Sequence, residues 1–363
     1  MAIQRRRKKI NKKAESVARS VKERKRRTTH VEFFSSGSTT INMALSGHPE
    51  WGWPRARVSN IVGDGSSGKT LLALEAAFWF LKNAKKIKSK IFPRVKTAKV
   101  VYNNGEGVMD FPLTKMYGKK FEKAIDWRRS PTIESVGRDY ISEVKDLKRG
   151  ESLLYIIDSW DQFKSVHDTK ISDTTDEDML KGYKLKKQQF AWKFFSEVCD
   201  GIDRNSKDAT LIVISQTKQK IGVTFGKKKY RTGGDALNFY THLVPWIREI
   251  EKLKKTRKKE MRIYGIHGEI KVDRSKVSKP FRQSEFRLLF DHGLDNVGSM
   301  AVYLKKHKYM KWSGISLKDI HAFSVAVEEQ GLEKKLSRKV AKIWLSVEEE
   351  FEKELNQRKR KSL

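Results

Sequence analysis

The chain has one cysteine, Cys199, in 363 residues. A single thiol excludes an intrachain disulfide and any zinc site built on several cysteines. No apolar run approaches the ~18 residues of a membrane-spanning helix, so no membrane partner is expected. The N-terminus lacks the apolar stretch of a secretory signal, and an intracellular location is expected. Acidic residues are the other shortage: 44 Asp and Glu face 78 Lys and Arg, a formal net charge of +34. A field of that sign attracts polyanions, with nucleic acid the first candidate. Hydrophobic residues make up 38% and aromatics 10%, enough for a packed core and against a wholly disordered chain.

The positive excess is uneven. Residues 1–30 carry thirteen Lys or Arg against Glu15 and Glu23. This basic arm is either a short helix with a narrow apolar stripe (Ile10, Ala14, Val17, Val21) or a solvated tail. Arg358 to Lys361 form a second basic tail. Between them, apolar runs at 58–62, 100–102, 153–157 and 211–214 read as strands. Segments 70–81, 132–147 and 186–202 have helical length and spacing. Strands alternating with helices imply a mostly parallel sheet covered on both faces. Segments 245–253, 261–266 and 269–272 read as further strands, Pro245 suggesting a sheet edge. From about 291, Ile320, Phe323 and Val327, then Val340, Trp344 and Phe351, mark two amphipathic helices. The expected organisation is an arm (1–30), an α/β core (31–290) and a small α-rich C-terminal domain with its tail (291–363).

Gly63, Asp64, Gly65, Ser66, Ser67, Gly68, Lys69 and Thr70 fit the phosphate-loop pattern G-x-x-x-x-G-K-[ST]. Its glycines let backbone N–H groups turn toward phosphates, and the following helix aims its positive end at the same anion. Lys69 is suited to the β- and γ-phosphates of ATP and Thr70 to Mg²⁺. The apolar run ending in Asp158 supplies a second carboxylate for Mg²⁺. Glu106, just past the 100–102 strand, is either the group that activates water or an ordinary loop carboxylate. Lys218, Lys220, Lys227, Lys228, Lys229 and Arg231 crowd around Gly222, Gly226, Gly233 and Gly234. Cations on mobile backbone suit a phosphate chain; a solvated basic hairpin is the plainer alternative.

Several segments together resemble the RecA family of homologous-recombination ATPases, over roughly residues 34–355. Ser36 to Gly47 is similar to the family's lead-in, and residues 65–70 carry its Gly-Ser-Ser-Gly-Lys-Thr core. The most specific likeness is Ser215-Gln216, then 220–226 and 232–240, the family's switch glutamine and second DNA-binding loop. The resemblance implies a RecA-like ATPase core and a catalytic role for Glu106. It places Asp110 near the adenine and makes Gln216 the sensor of the γ-phosphate. Arg274 and Lys276 become the cations that reach a neighbouring subunit's nucleotide, and Phe239 an aromatic at the subunit interface. Lys220, Ile221, Gly222, Lys227, Lys228, Lys229, Arg231, Gly233 and Gly234 become the DNA-binding loop, Ile221 wedging between bases. The first DNA-binding loop falls within 168–187, with Met179, Tyr183, Lys184, Lys186 and Lys187 as candidates.

Departures are Arg274 in place of the bacterial lysine, an acidic stretch at 173–178, and a basic end to the chain. The function implied is ATP-dependent filament formation on single-stranded DNA, then pairing and exchange with homologous double-stranded DNA, in the cytoplasm (the host's, if phage-encoded). A RecA-core helicase or translocase is one alternative. An ATP-binding DNA-coating protein with weak turnover is another.

The charge makes a first prediction. Single-strand affinity should fall with salt at a log–log slope of roughly −0.7 per phosphate neutralised. A titration series between low and moderate salt measures it, and a flat response would sink the electrostatic account.

Overall fold

The computed structural model describes residues 31–107, 109, 111–166, 177–204, 207–219, 229–231 and 234–356. The basic arm, the C-terminal tail, Asp110, Lys220, Ile221, Gly222, Lys227, Lys228 and Gly233 lie outside them, as do residues 168–176 of the expected first DNA-binding loop; of 177–185 only the backbone is described. Of Lys229 only the backbone is described.

β1 (Phe33–Phe34) pairs with β2 (Trp53–Pro54) across helix α1 (Thr39–Ser46). β3 (Val58–Gly63) then leads into α2 (Lys69–Asn83). β4 (Thr97–Asn104), short helices α3 (Leu113–Tyr117) and α4 (Lys119–Ala124), β5 (Ile125–Arg128) and α5 (Ile133–Asp146) follow. Next come β6 (Glu151–Asp158), α6 (Glu177–Arg204), β7 (Ala209–Gln219), β8 (Lys229–Arg231) and α7 (Gly234–Tyr240). The meander β9 (Leu243–Arg257), β10 (Glu260–Ser275), β11 (Gln283–Leu289) and β12 (Gly293–Leu294) completes the main sheet. Its order is β12-β11-β10-β9-β3-β7-β6-β4-β5, with β8 on β7. Strands β9 through β5 in that order run parallel; the β9–β12 meander is antiparallel.

The apolar runs are continuous because both faces of the sheet are covered. Side chains alternate across a strand, so Leu154 and Ile156 join one core with α1 and α2, while Leu153, Tyr155 and Ile157 join another with α5 and α6. Ile212 and Ile214 against Leu211 and Val213 repeat the division on β7. A RecA-like α/β core is thus in place.

Three expectations are corrected. Segments 261–266 and 269–272 are one strand, β10, with register shifts at Ile263/Gly265 and His267/Gly268. Gly268 is needed there: a Cβ would meet the Phe286 ring of β11 at 2.6 Å. Pro245 lies in β9, an interior strand between β10 and β3. It sits opposite Val272, whose N–H donates to Arg282 and whose carbonyl accepts from Phe281. No β10 bond is therefore lost at the proline. The helix expected from 186 begins at Glu177.

The sheet runs to Leu294, just past the pattern change at 291. Asp295 then caps α8 (Asn296–Lys306), its side chain accepting from Gly298 N. The hairpin of β13 (Lys311–Trp312) and β14 (Ile315–Ser316), then α9 (Ile320–Glu329) and α10 (Glu333–Asn356), enclose a third core around Met300, Leu304, Phe323, Leu336 and Val340. Thr39 at the start of α1 bonds Asn296 (2.8 Å) and Ser337 (2.9 Å), tying this core to the lead-in helix.

One buried ion cluster braces the entry to β3 and β7. The Arg55 guanidinium donates to both carboxylate oxygens of Asp208 and to Glu32 at 3.0 Å. Its side chain is 0% exposed. Removing one partner of a buried ion pair leaves an uncompensated charge, at about 3–5 kcal/mol. Arg55→Met should lower unfolding stability by about that amount in a denaturant melt, and adding Asp208→Asn should recover part of it.

Candidate nucleotide site

The loop between β3 and α2 is shaped by what surrounds it. Gly63 ends a fully buried strand between β7 and β9, where a Cβ would come within 2.7 Å of the Ile247 carbonyl and the Ser67 hydroxyl. Gly68 takes φ +91° before the first turn of α2, and a Cβ there would strike Leu288. Between them Ser67 Oγ donates to the Asp64 carbonyl at 2.8 Å. Lys69, nearly buried, donates to that same carbonyl. Burial lowers the Lys69 pKa, and the carboxylates of Asp158, Glu106, Asp64 and Asp161 oppose the shift. The ammonium therefore sits among four acids at the start of a helix.

Asp158 closes β6 and is buried. Its Oδ2 accepts from Thr70 Oγ1 at 2.7 Å and Tyr102 OH at 2.6 Å. Its Oδ1 is buried and has no hydrogen-bond partner among the described residues. An orphaned buried acceptor carries a free-energy penalty. With the Thr70 hydroxyl it forms the hard oxygen set that Mg²⁺ favours, so these residues fit that ion. Burial raises the Asp158 pKa, opposed chiefly by the Tyr102 and Thr70 hydrogen bonds.

Glu106 sits on the turn after β4, where Asn104 Oδ1 accepts from Glu106 N (2.9 Å) and Gly107 N (3.2 Å). Its carboxylate is exposed and accepts from Gln216 Nε2 at 3.1 Å and Ser159 Oγ at 3.4 Å. Gln216 N donates to Asp161 Oδ2 at 2.7 Å, and the next residue on β7, Thr217, donates to Asp64. Strand ends β3, β7, β6 and β4 thus converge through side chains, as at the carboxyl ends of other parallel sheets.

The structure brings Lys69, Thr70, Asp158, Glu106 and Gln216 together. Arg274 and Lys276 stand elsewhere. On β10 and just past it, they donate to the Asn238 and Phe239 carbonyls at the end of α7, Lys276 at 2.5 Å. Phe239 is 57% exposed beside Trp192 and Tyr240. Arg231 does not fit the DNA contact expected of it. It is buried, and its guanidinium donates to Asn60 and Asn238, so it braces β8 against β3 and α7. The Lys187 ammonium donates to the Phe163 carbonyl at 2.6 Å.

Pattern reasoning missed Tyr102, Ser159, Asp161 and Thr217. The spacing of Asp158 and Asp161 at the end of an apolar strand offered a signal for one of them. Nothing local marks the others, whose partners are ~50 to 150 residues away and meet only across the parallel sheet.

Asp158→Asn separates stability from function. Folding raises this carboxyl's pKa, so its contribution to stability is full below the unfolded carboxylate range and is lost as pH rises through the folded value. At neutral pH the amide should therefore raise the melting temperature of the nucleotide-free protein. It should also abolish Mg²⁺-dependent nucleotide binding. Calorimetry and nucleotide titration with and without Mg²⁺ check both.

A family model described as the RecA N-terminal domain matches residues 192–295, from α6 to the cap of α8. Protein RecA of Trichodesmium erythraeum (strain IMS101) is 28% identical over 285 residues, 78% of this chain and 70% of its own length. Protein RecA of Prochlorococcus marinus (strain MIT 9303) is 29% identical over 294 residues, 78% of this chain and 68% of its own. Protein RecA of Arthrospira platensis is 28% identical over 285 residues, 78% and 69% of the two chains. Together with the α/β core, these likenesses over more than three-quarters of the chain make it similar to the RecA proteins.

Proposed function

We propose that the protein is an ATP-dependent recombinase that assembles along single-stranded DNA and pairs it with homologous duplex. The observation carrying this reading is the hydrogen-bonded circuit at the strand ends. Asp64 in the phosphate loop is held by Thr217, and Gln216 beside it holds Glu106. Both Thr217 and Gln216 lie on β7, which runs directly into residues 220–228, the basic loop. A nucleotide-dependent shift at Asp64 or Glu106 would thereby pull on the root of the DNA-binding segment.

In this reading, the N–H groups of residues 64–68 and the Lys69 ammonium bind the ATP phosphates. Bound Mg²⁺ supplies charge neutralisation at the phosphate oxygens, with Thr70 Oγ1 and Asp158 Oδ1 as the protein's donors. Glu106 accepts the proton of the attacking water, its orientation set by Gln216 and Ser159. Arg274 and Lys276 serve a neighbouring protomer's nucleotide, which requires them to leave the α7 carbonyls and ties turnover to filament assembly. Asp110 lies beside the adenine. Lys220, Ile221, Gly222, Lys227, Lys228, Lys229, Gly233 and Gly234 line the strand's path. Residues 31–290 act as the ATPase core, with 1–30 and 291–363 as appended parts, in the cytoplasm.

ATP hydrolysis with and without single-stranded DNA tests the reading. Strong stimulation is expected, lost in Lys69→Ala. Glu106→Gln should reduce turnover about 10²- to 10⁴-fold while nucleotide binding persists. Tight DNA binding without stimulation would shift the reading to a coating protein, and closed rings in place of open filaments would shift it to a motor.

A further inference from the structure

β9 and β10 outrun the sheet. β9 pairs with β3 only from Leu243 to Ile247, and β11 covers β10 only from Gly265 onward. Beyond those limits the two strands pair only with each other, down to Arg257 opposite Glu260. Because β9 runs parallel to β3, this ribbon leaves the sheet at the end that carries the phosphate loop. From Ile247 to Arg257 it covers ten residues, roughly 30 Å at strand rise.

Its tip is dense in cations. Lys252, Lys254, Lys255, Arg257, Lys258 and Lys259 fall within eight residues without an acid among them. Arg262 follows on the return strand, paired with Glu260. Lys252, Lys254, Lys258 and Lys259 are exposed and form no ion pair among the described residues. Lys255 lies near one acid of the C-terminal helices, Asp319 at the start of α9.

Two features place this charge against the interest of stability. The two-residue turn is Lys258-Lys259, with φ +47° and +66°. Such a turn requires left-handed backbone at both positions and favours Asn-Gly. Lys255 also pairs directly with Arg262 across the strands, a like-charge pair that weakens a ribbon. Neither choice helps the hairpin fold, which points to a ligand at the tip.

We propose that this ribbon is a docking arm for double-stranded DNA. The B-form major groove is about 12 Å wide and admits a two-stranded β-ribbon. Cations on both strands and at the turn meet the phosphates flanking it. Exposed Met261 and Ile263 lie opposite Thr256 and Lys254 and offer apolar contact to the groove floor. The surface stands on its own charge and geometry; that the polyanion is DNA rests on the recombinase reading.

The test is duplex binding by fluorescence anisotropy as a function of salt, in the full chain. The variant is Lys254→Gln/Lys258→Asn/Lys259→Gly, whose turn suits the backbone better and whose melting temperature should not fall. Duplex affinity should drop about tenfold or more. The magnitude of the log–log salt slope should fall by roughly 0.9 for each phosphate that is no longer neutralised. Single-strand-stimulated ATP turnover should be unchanged. Lys254→Arg/Lys258→Arg/Lys259→Arg should retain duplex binding. Unchanged duplex affinity and slope would overturn the proposal, as would an equal loss for single and double strands. Duplex binding lost in the variant, with no single-strand stimulation in the unaltered chain, would support the arm and overturn the recombinase reading instead.

Discussion

The site depends on one carboxylate held where water does not reach. Asp158 ends a strand whose neighbours on both sides are themselves interior, so its charge is surrounded by sheet. Two hydroxyls, from Thr70 and Tyr102, satisfy one of its oxygens and leave the other bare. Thr70 belongs to the first turn of the helix that follows the phosphate loop, so this one acid fixes α2 relative to β6. Tyr102 comes from β4 and fixes that strand's end as well. Three elements are thereby held in register around a group that the fold alone would prefer neutral. A cation bound here would relieve the charge that folding penalises and so stabilise the protein.

Around this anchor the contacts are polar and share acceptors. The Asp64 carbonyl receives both Ser67 and Lys69, and one Glu106 oxygen receives both Gln216 and Ser159. Shared acceptors make the positions interdependent, because moving one donor changes the strength of the other bond. The buried Arg55 cluster at the opposite end of β3 and β7 is different in kind. It serves rigidity, holding the roots of the two strands together.

What was legible in the sequence was local. The phosphate loop shows itself because its glycines, lysine and threonine lie within eight residues, and the central strands because burial on both faces leaves unbroken apolar runs. Pairing was not legible. Pro245 read as an edge because proline lacks a donor, yet Val272 opposite it directs both its backbone groups to the other neighbour. Residues 267–268 read as a break between two strands, although Gly268 makes room for the Phe286 ring of β11. Arg231 read as one more cation of the basic loop, whereas Asn60 and Asn238 draw it inward. In each case the deciding partner is remote in sequence, and a single chain carries no local mark of it.

The overhang of β9 has a mechanical consequence. Its root is welded beside the strand that ends in Gly63, opposite Ile247, so closely that a Cβ on Gly63 would come within 2.7 Å of the Ile247 carbonyl. A stiff rod fixed at one end magnifies rotation. Over roughly 30 Å of strand, a tilt of about 3° at the root carries the tip through roughly 1.5 Å. An adjustment at the phosphate loop too small to reorder the core would thus be read out as displacement at the far end of the hairpin.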